Sequence, residues 1–544
     1  MRALVVHEHD RVIGIVPLVV RGQTVGFWGS PESDCNDVLC GDPDAPRVLE
    51  AALDFLLQSP LRWKSGLLDN LPSQSRIVRA IPALPSSIRQ HLQLVFRCPA
   101  PTIMIGQNTA QVLDPLINKD QLKRYDRKLQ TRGRVRFRHL GTREEVREHL
   151  ACFFHQHITR WAMSGMRSDL IRPERRAFFE ALVEELDPRT ELRFGVLELD
   201  SRPIAYHFGL QIAGRLIWYK PTFDVNYWEL CPGDVLLRNL FQYARDARLD
   251  EFDFSVGDEP FKYRFANGVR HNYALHLESH PAHMRSRVTR IARRAEHLVR
   301  QKPEWKAALK SKAYYLIGIG ERFRRLVTPE APLRNCLYGL RRMYRRTIWG
   351  RDEALFYIGM ETPLFVNSRI ELTEGSLGAL ASLSAQHSGA LSGGDLQEYR
   401  RRLKFGDRAF IARTPQEEVF ILWVGHRSEI AVPEIGPDCN LRLRSAVSVL
   451  YECRPVRADP AGRVPSAILR AVAAYFRRNR LWIYSTGDDG PLKQAIEDAG
   501  FRLRHRRFHY ASLRAWIRAR LTRCEATPAF EEEEAVERVS HASL

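Results

Sequence analysis

LRFGVLELDSRPIAYHFGLQIAGRLIWYKPTFDVNYWELCPGDVLLRNLFQYARDARLDEFDFS, residues Leu192 to Ser255, carries the most regular pattern in the chain. Leu192–Leu199, Pro203–Ile212 and Arg215–Pro221 are rich in Leu, Ile, Phe and Tyr, and the pairs Asp200-Ser201 and Ala213-Gly214 separate them. Short β-forming runs joined by two-residue turns predict a three-stranded meander. The loop Thr222–Leu230 then leads to Cys231-Pro232-Gly233-Asp234, which punctuates the start of a helix expected over Val235–Arg248. Leu236, Leu237, Leu240, Phe241 and Ala244 give that helix one apolar face. The strand Glu251–Ser255 closes the unit. Strands, a crossover helix and another strand make an α/β layer that presents a helix N-terminus at a cleft.

Upstream, Val135–His139 reads as a strand, Lys119–Thr131 as a basic helix, and Glu144–Ser164 and Pro173–Leu186 as helices. Ala3–His7 and Val12–Val20 flank the polar turn His9-Asp10-Arg11 as a hairpin, and Val48–Leu57 has helical spacing. A chain that opens directly on a strand is expected to be truncated at its front or to carry a misassigned start. Downstream the same order recurs: strands Arg408–Arg413, Val419–Gly425 and Val447–Cys453, the loop Asp459–Pro465, and a helix over Ser466–Arg478. The strand Leu481–Thr486 and a helix Pro491–Ala499 follow, stopped by Gly500 where a left-handed cap is needed. This is an internal repeat of one architecture.

Composition narrows the partners. A chain of 544 residues exceeds one core and suggests about three to four domains. No run approaches the ~18 apolar residues of a membrane helix, and no signal peptide is recognisable at Met1–Asp10, so a cytoplasmic protein is expected. Nine scattered cysteines without a framework fit reduced thiols. Cys152, His155 and His157 do not share one helix face, so no metal is expected. The net charge of +19 is concentrated between Pro281 and Gly350, where 18 Lys/Arg face 4 Asp/Glu. Charge localised in this way describes a connector. Solvated amphipathic helices come first as its reading, given Ile291, Leu298, Leu309 and Leu316, and contact with anionic lipid at the inner face of the membrane comes second. Nucleic acid comes last because no recognition motif accompanies the charge. The acidic tail Glu531–Glu534 reads as disordered.

Residues 115–280 resemble the CelD-like acetyltransferases of cellulose biosynthesis, a branch of the GNAT superfamily akin to the FemAB peptidoglycan-bridge enzymes. The resemblance rests on an ordered string. It begins with Lys123-Arg124-Tyr125-Asp126-Arg127-Lys128-Leu129 and Gly133, and continues through Arg202-Pro203-Ile204-Ala205 and Phe223-Asp224. Pro232-Gly233 with Leu236-Leu237 follows, then Phe252-Asp253-Phe254, Gly257 and Phe261-Lys262-Tyr263-Arg264-Phe265. Residues 360–513 are similar to a more ordinary GNAT repeat. The fold class implied is α/β, with repeated GNAT-like acyl-CoA N-acyltransferase units of mixed sheets flanked by helices. The expected domains are a partial half-domain at 1–110, the CelD-like domain at 111–280, the basic helical linker at 281–350, a degenerate GNAT-like domain at 351–520 and the tail at 521–544.

The resemblance implies an acyl-CoA-dependent N- or O-acyltransferase, with acetyl-CoA or another acyl-CoA as co-substrate and no metal. The acceptor is expected to be a small molecule or saccharide, such as an envelope or exopolysaccharide precursor. The alternative is a non-catalytic binding protein or an aminoacyl-tRNA-dependent relative. Backbone N–H groups at a helix start, assisted by its dipole, would hold the pyrophosphate, and the candidates are Gly233, Asp234 and Val235. Asp234 is also a good N-cap, so a simple capped helix competes with that reading. Proton transfer would fall to Asp224, Tyr219 or His207, although a half-buried structural histidine is the first reading of the last. Lys262 and Arg264 would hold an acidic group of the acceptor, unless Lys262 only pairs with Asp258 or Glu259. In the C-terminal repeat, Asp459 and Val464 depart from the family's loop where Gly462 matches, and Ile496 stands where a tyrosine acid is common. That repeat is expected to be a scaffold or acceptor-binding module.

Overall fold

The structure is a computed structural model. It describes residues 3–30, 32–59, 63–280, 349–359, 370–387, 391–432, 441–456, 464–476, 481–486, 489–512 and 525–526. The expectations for the 281–348 connector, the Asp459–Arg463 part of the loop and the tail lie outside these residues. The chain divides into two compact units, Met1–Gln156 with Glu174–Ala313, and His157–Pro173 with Tyr314–Leu544.

In the first unit, β1 (Leu4–Glu8) and β2 (Arg11–Val16) form the expected hairpin, with β5 (Leu39–Cys40) on β2. The run expected to reach Val20 breaks at Pro17, because proline has no N–H for the ladder. The chain restarts as β3 (Leu18–Arg21) in a different, ten-stranded sheet. That sheet also holds β4 (Thr24–Phe27), β6 (Ser65–Pro72), β7 (Leu92–Met104), β8 (Val135–His139), β9 (Leu192–Leu199) and β10 (Arg202–Ile212). It is completed by β11 (Arg215–Phe223), β12 (Glu251–Asp253) and β13 (Gly268–Glu278). The order is β3-β4-β6-β13-β7-β12-β11-β10-β9-β8.

The meander is present as read. Asp200 and Ser201 have φ of 49° and 65°, and Ala213 and Gly214 have 47° and 73°. Both turns therefore have the two left-handed residues that match the twist of a tight hairpin. The strand register follows: Leu199 faces Arg202, and Ile212 faces Arg215. The crossover helix spans Pro232–Asp246 and buries Val235, Leu236, Leu237, Leu240, Phe241 and Ala244 against Phe252, Phe254, Ile204 and Leu197. Each such side chain contributes roughly 1.5–3 kcal/mol on burial. The boundary expected at residue 110 is no break in the sheet. β7, from the N-terminal stretch, lies between β12 and β13, and β13 returns to pair with both β6 and β7.

β11 and β12 are parallel, but only over Arg215–Ile217 against Glu251–Asp253. Charge holds this short pair in register. Glu251 bonds Arg215 at 2.9 Å, Arg270 at 2.5 Å and the Thr102 hydroxyl at 2.5 Å, while Asp253 pairs with Arg270 and accepts from the Ser255 N–H at 2.8 Å. Both carboxylates are buried.

The second unit has an eight-stranded sheet ordered β15-β16-β17-β18-β19-β14-β20-β21. Its strands are β14 (Trp349–Gly359), β15 (Glu371–Gly375), β16 (Arg408–Arg413), β17 (Val419–Ile430), β18 (Leu441–Pro455), β19 (Leu481–Thr486), β20 (Phe501–Ser512) and β21 (Glu525–Ala526). β16, β17 and β18 run antiparallel, the helix Ser466–Tyr475 crosses over, and β19 returns parallel to β18 over Ser448–Leu450. The series β9-β10-β11-β12-β7-β13 is thus repeated as β16-β17-β18-β19-β14-β20. The fold is α/β with repeated units of this kind. Gly500 has φ of 86°, the left-handed cap that the sequence requires.

Removing one partner from a buried ion network leaves the remaining charges unpaired, at a cost of about 3 kcal/mol or more. Glu251→Gln should lower the urea stability of the protein by that amount. A loss below about 0.5 kcal/mol, the size of an exposed pair, would show that the network does not hold the β11–β12 register.

Candidate active site

The first-unit sheet opens where its parallel pair ends. β11 continues to Phe223 on the strength of β10, whereas the chain after Asp253 follows β7, with the Phe254 N–H donating to the Pro101 carbonyl and that of Gly257 to Pro99. The edges of this opening are Trp218–Phe223 on one side and Phe254–Gly257 on the other. At its upper end the chain turns through Val225–Leu230, a 3-10 helix where a loop is expected, into the crossover helix.

Cys231 caps the crossover helix with φ 52° and ψ 48°, a left-handed conformation without glycine. The N–H groups of Asp234 and Val235 both point at the Cys231 carbonyl, at 3.1 and 3.3 Å. Pro232 has no N–H, and no described hydrogen bond uses that of Gly233. A Cβ on Gly233 would meet only Phe223, at an ordinary 3.5 Å, so folding does not demand glycine there. Of the three expected pyrophosphate donors, Gly233 is therefore the one presented outward. Asp234 does not cap the helix; burial raises its carboxyl above the usual range, and Arg264 opposes that from 3.6 Å.

Cations gather around this turn. Lys128 of the basic helix Asp120–Gln130 donates to the Glu229 carbonyl at 2.9 Å, and Arg264 donates to Gln121 at 2.9 Å. Lys119 reaches the Arg264 carbonyl. Burial, then Asp234, raises the Cys231 thiol, and Tyr125, Lys128 and Arg124 act against that rise. A helix start with positive side chains on its flank favours an anion. The 123–129 string marks this helix in the sequence; its proximity to Gly233 follows only from folding, through the ion pair of Asp126 with Arg238 at 2.8 Å.

The three candidates for proton transfer are not brought together. His207 is fully buried, stacked on Trp218 at 5.0 Å with its ring against the Cα of Gly209. Burial pushes its pKa down to about 3, so it is a neutral core residue and no base for the cleft. Asp224 caps the 3-10 helix, accepting from the Asn226 N–H and Nδ2 at 2.9 Å each, and pairs with Arg202 at 3.4 Å. Its oxygens are thereby engaged at the turn. Tyr219 lies at the opening, but its hydroxyl donates to the Glu32 carbonyl at 3.0 Å, and burial raises its pKa far above the usual range.

Lys262 is buried and points inward. Its ammonium donates to the carbonyls of Ser255 (3.3 Å) and Val256 (2.9 Å) and pairs with Glu259 at 2.9 Å. The expected partner is present, but the pair braces the 255–262 loop rather than facing an acceptor. Arg264 is the exposed member of the two.

In the second unit, Ile496 is fully buried and Val464 nearly so, both in the core with Ile468, Leu469 and Phe501. Both departures from the expected loop and acid positions are thus side chains packed into this core.

Residues 118–263 match the Acetyltransferase (GNAT) domain family. Among solved structures, FemX is 10% identical with a TM-score of 0.36, covering 50% of this chain and 87% of that one. The C-terminal domain (DUF2156) of a putative lysylphosphatidylglycerol synthetase from Agrobacterium fabrum is 11% identical with a TM-score of 0.33, covering 50% and 82%. A tandem GNAT protein from the clavulanic acid biosynthesis pathway is 11% identical with a TM-score of 0.21, covering 70% and 99%. No curated protein matches the chain.

The buried imidazole has a pH signature. The folded pKa of His207 lies below the unfolded value of about 6.5, so the unfolded chain takes up the proton first. Its contribution to stability is present above that value and is lost as pH falls from about 6.5 toward about 3. The melting temperature should therefore drop between pH 7.5 and pH 5, and His207→Leu should flatten part of that drop. An unchanged slope in the variant would place the imidazole in solvent. The segment 118–263 has a GNAT acetyltransferase-type fold, built on the sheet that the rest of the first unit completes.

Proposed function

We propose that the first unit is an acyl-CoA-dependent N- or O-acyltransferase of the CelD-like branch, acting on a saccharide or envelope precursor. The observation that carries the reading is the start of the crossover helix. Gly233 offers its N–H beside the opening of the sheet, with Arg124, Lys128 and Arg264 around the same turn. A pyrophosphate placed there would meet an unused backbone donor, the positive end of the helix dipole and cationic side chains. The donor's acyl end would run toward the gap between β11 and the 254–257 segment. The CelD-like string supplies the acceptor class. Arg264, through its exposed guanidinium, is the side chain that would hold an acidic group.

In this reading the second unit is a scaffold or acceptor-binding module, and the basic 281–350 segment contacts anionic lipid. No described helix is long and apolar enough to cross a membrane; the contact proposed for the 281–350 segment is peripheral.

The pyrophosphate assignment has a direct test. Acetyl-CoA should raise the melting temperature of the full chain, and S-acetylpantetheine, which lacks the phosphates, should not. Gly233→Val should weaken acetyl-CoA binding at least tenfold while leaving the unliganded melting temperature within about 1 °C, because the added Cβ meets only Phe223. Equal affinity in the variant would remove the pyrophosphate from this helix. No response to acetyl-CoA in the wild-type protein would end the acyl-CoA reading.

A further inference from the structure

The loop Glu32–Asp37 belongs to the first forty residues, yet it lies across the opening of the first-unit sheet. It touches both edges. On the β11 side the Tyr219 hydroxyl donates to the Glu32 carbonyl at 3.0 Å. On the other side the Ser255 hydroxyl donates to the Asp34 carboxylate, and Asn272 Nδ2 on β13 donates to the Asp34 carbonyl at 3.1 Å. Ser255 itself has φ of 63°, a left-handed conformation that a non-glycine residue adopts only when its surroundings impose it. The Ser255 N–H is held by Asp253, its carbonyl by Lys262 and its hydroxyl by Asp34. Asp34 is part-buried and its neighbour Cys35 is exposed, so the loop itself is not sealed in the core.

We propose that Asp34 is the general base of the acyl transfer, reaching from the N-terminal stretch into the opening between β11 and the segment after β12. This rests on the acyl-CoA reading above. The other acid–base candidates there are engaged: His207 in the core, Asp224 at its cap, Tyr219 on Glu32. As the acceptor's amine or hydroxyl attacks the thioester carbonyl, a bond forms between that nitrogen or oxygen and the acyl carbon. The carbon–sulfur bond breaks, and its electron pair leaves on the CoA thiolate. The proton passes from the acceptor atom to the Asp34 carboxylate and from there to the thiolate, so acyl-CoA and acceptor become acylated acceptor and free CoA. Ser255 is the positioning residue that orients the carboxylate.

The environment of Asp34 suits a base. Burial raises its pKa above the ordinary aspartate range, the Ser255 hydrogen bond lowers it, and the charges of Lys220 on β11, Asp253 on β12 and Lys262 act on it more weakly. Further titratable and charged groups around the loop are Glu32, paired with Arg175, Asp37, paired with Arg76, the Tyr219 phenol, and the Cys35 thiol, which burial raises against Arg215 and Arg270. A base must be ionised to work, so activity should rise with pH through this raised value.

The test follows thiol release from acetyl-CoA by the full chain, with and without glucosamine as the acceptor probe. Asp34→Asn keeps the volume and still accepts from Ser255, so a purely anchoring role would survive it. The proposal expects thiol release to fall at least 100-fold, with acetyl-CoA affinity within twofold of wild type. Wild-type rates in Asp34→Asn overturn the role, as does a loss explained by weaker acetyl-CoA binding alone. Should that variant fail to fold, the pH profiles of wild type and Ser255→Ala decide. The wild-type acid limb should lie above the ordinary aspartate range, and Ser255→Ala should move it to higher pH by removing a bond that favours the ionised form. A flat profile, or an unmoved limb, overturns the role. A wild-type protein that binds acetyl-CoA but whose rate ignores Asp34 leaves the acyl-CoA reading standing; one that releases no thiol ends both.

Discussion

Glu251 and Asp253, locked between Arg215 and Arg270, hold together the short parallel pair beside which the central sheet of the first unit opens. A parallel pair rich in Val and Ile could extend for six or more residues by burial alone. This one runs for three residues, and its alternate positions are carboxylates that meet guanidinium groups. Buried charge is expensive unless paired and hydrogen-bonded, so a shift of register by one residue would turn both carboxylates to the wrong face. Once the pair ends, β11 remains with β10 while the other chain follows β7. The opening lies where that pair ends, and the Glu32–Asp37 loop touches both of its edges.

The second unit repeats the strand order with different chemistry. Its parallel pair joins Ser448–Leu450 to Leu481–Ile483 and is built on Val449, Leu450, Trp482 and Ile483. The nearby charges lie beyond the pair, where Glu452 meets Arg402 and Arg454. Apolar side chains dominate that pair, where the first unit has paired charges. Val464 and Ile496 are both part of the apolar core. One backbone plan therefore carries a paired-charge network on its parallel strands in the first unit and mainly apolar side chains there in the second.

Local patterns were legible in the sequence and long-range ones were not. Asp200-Ser201 and Ala213-Gly214 announce tight turns, so the meander could be read directly. Leu236 to Ala244 announce a buried helix face. The start of the crossover helix was legible for the same reason, since Pro232-Gly233 is local punctuation. Pro17 was readable in principle, because a missing N–H cannot sit inside a ladder, yet an apolar run on both sides of it suggests one strand. Nothing in the sequence says that β7 will separate β12 from β13, or that Asp34 will meet Ser255 at a separation of 221 residues. Site residues chosen by type alone were placed by burial instead. His207 carries the right ring for a base and lies where its charged form is excluded.

The interleaving of β7 makes the N-terminal stretch part of the site's construction. Arg270 on β13 faces Ala100 on β7, and its guanidinium reaches past that strand to Glu251 and Asp253 on β12. Thr102 on β7 supplies a further bond to Glu251. Without residues 92–104, β12 and β13 would have no common neighbour, and the carboxylates would lose both Thr102 and the scaffold that brings Arg270 within reach. The segment that matches the GNAT family begins only at residue 118. The ion network beside its central break is thus completed by strands on either side of that segment.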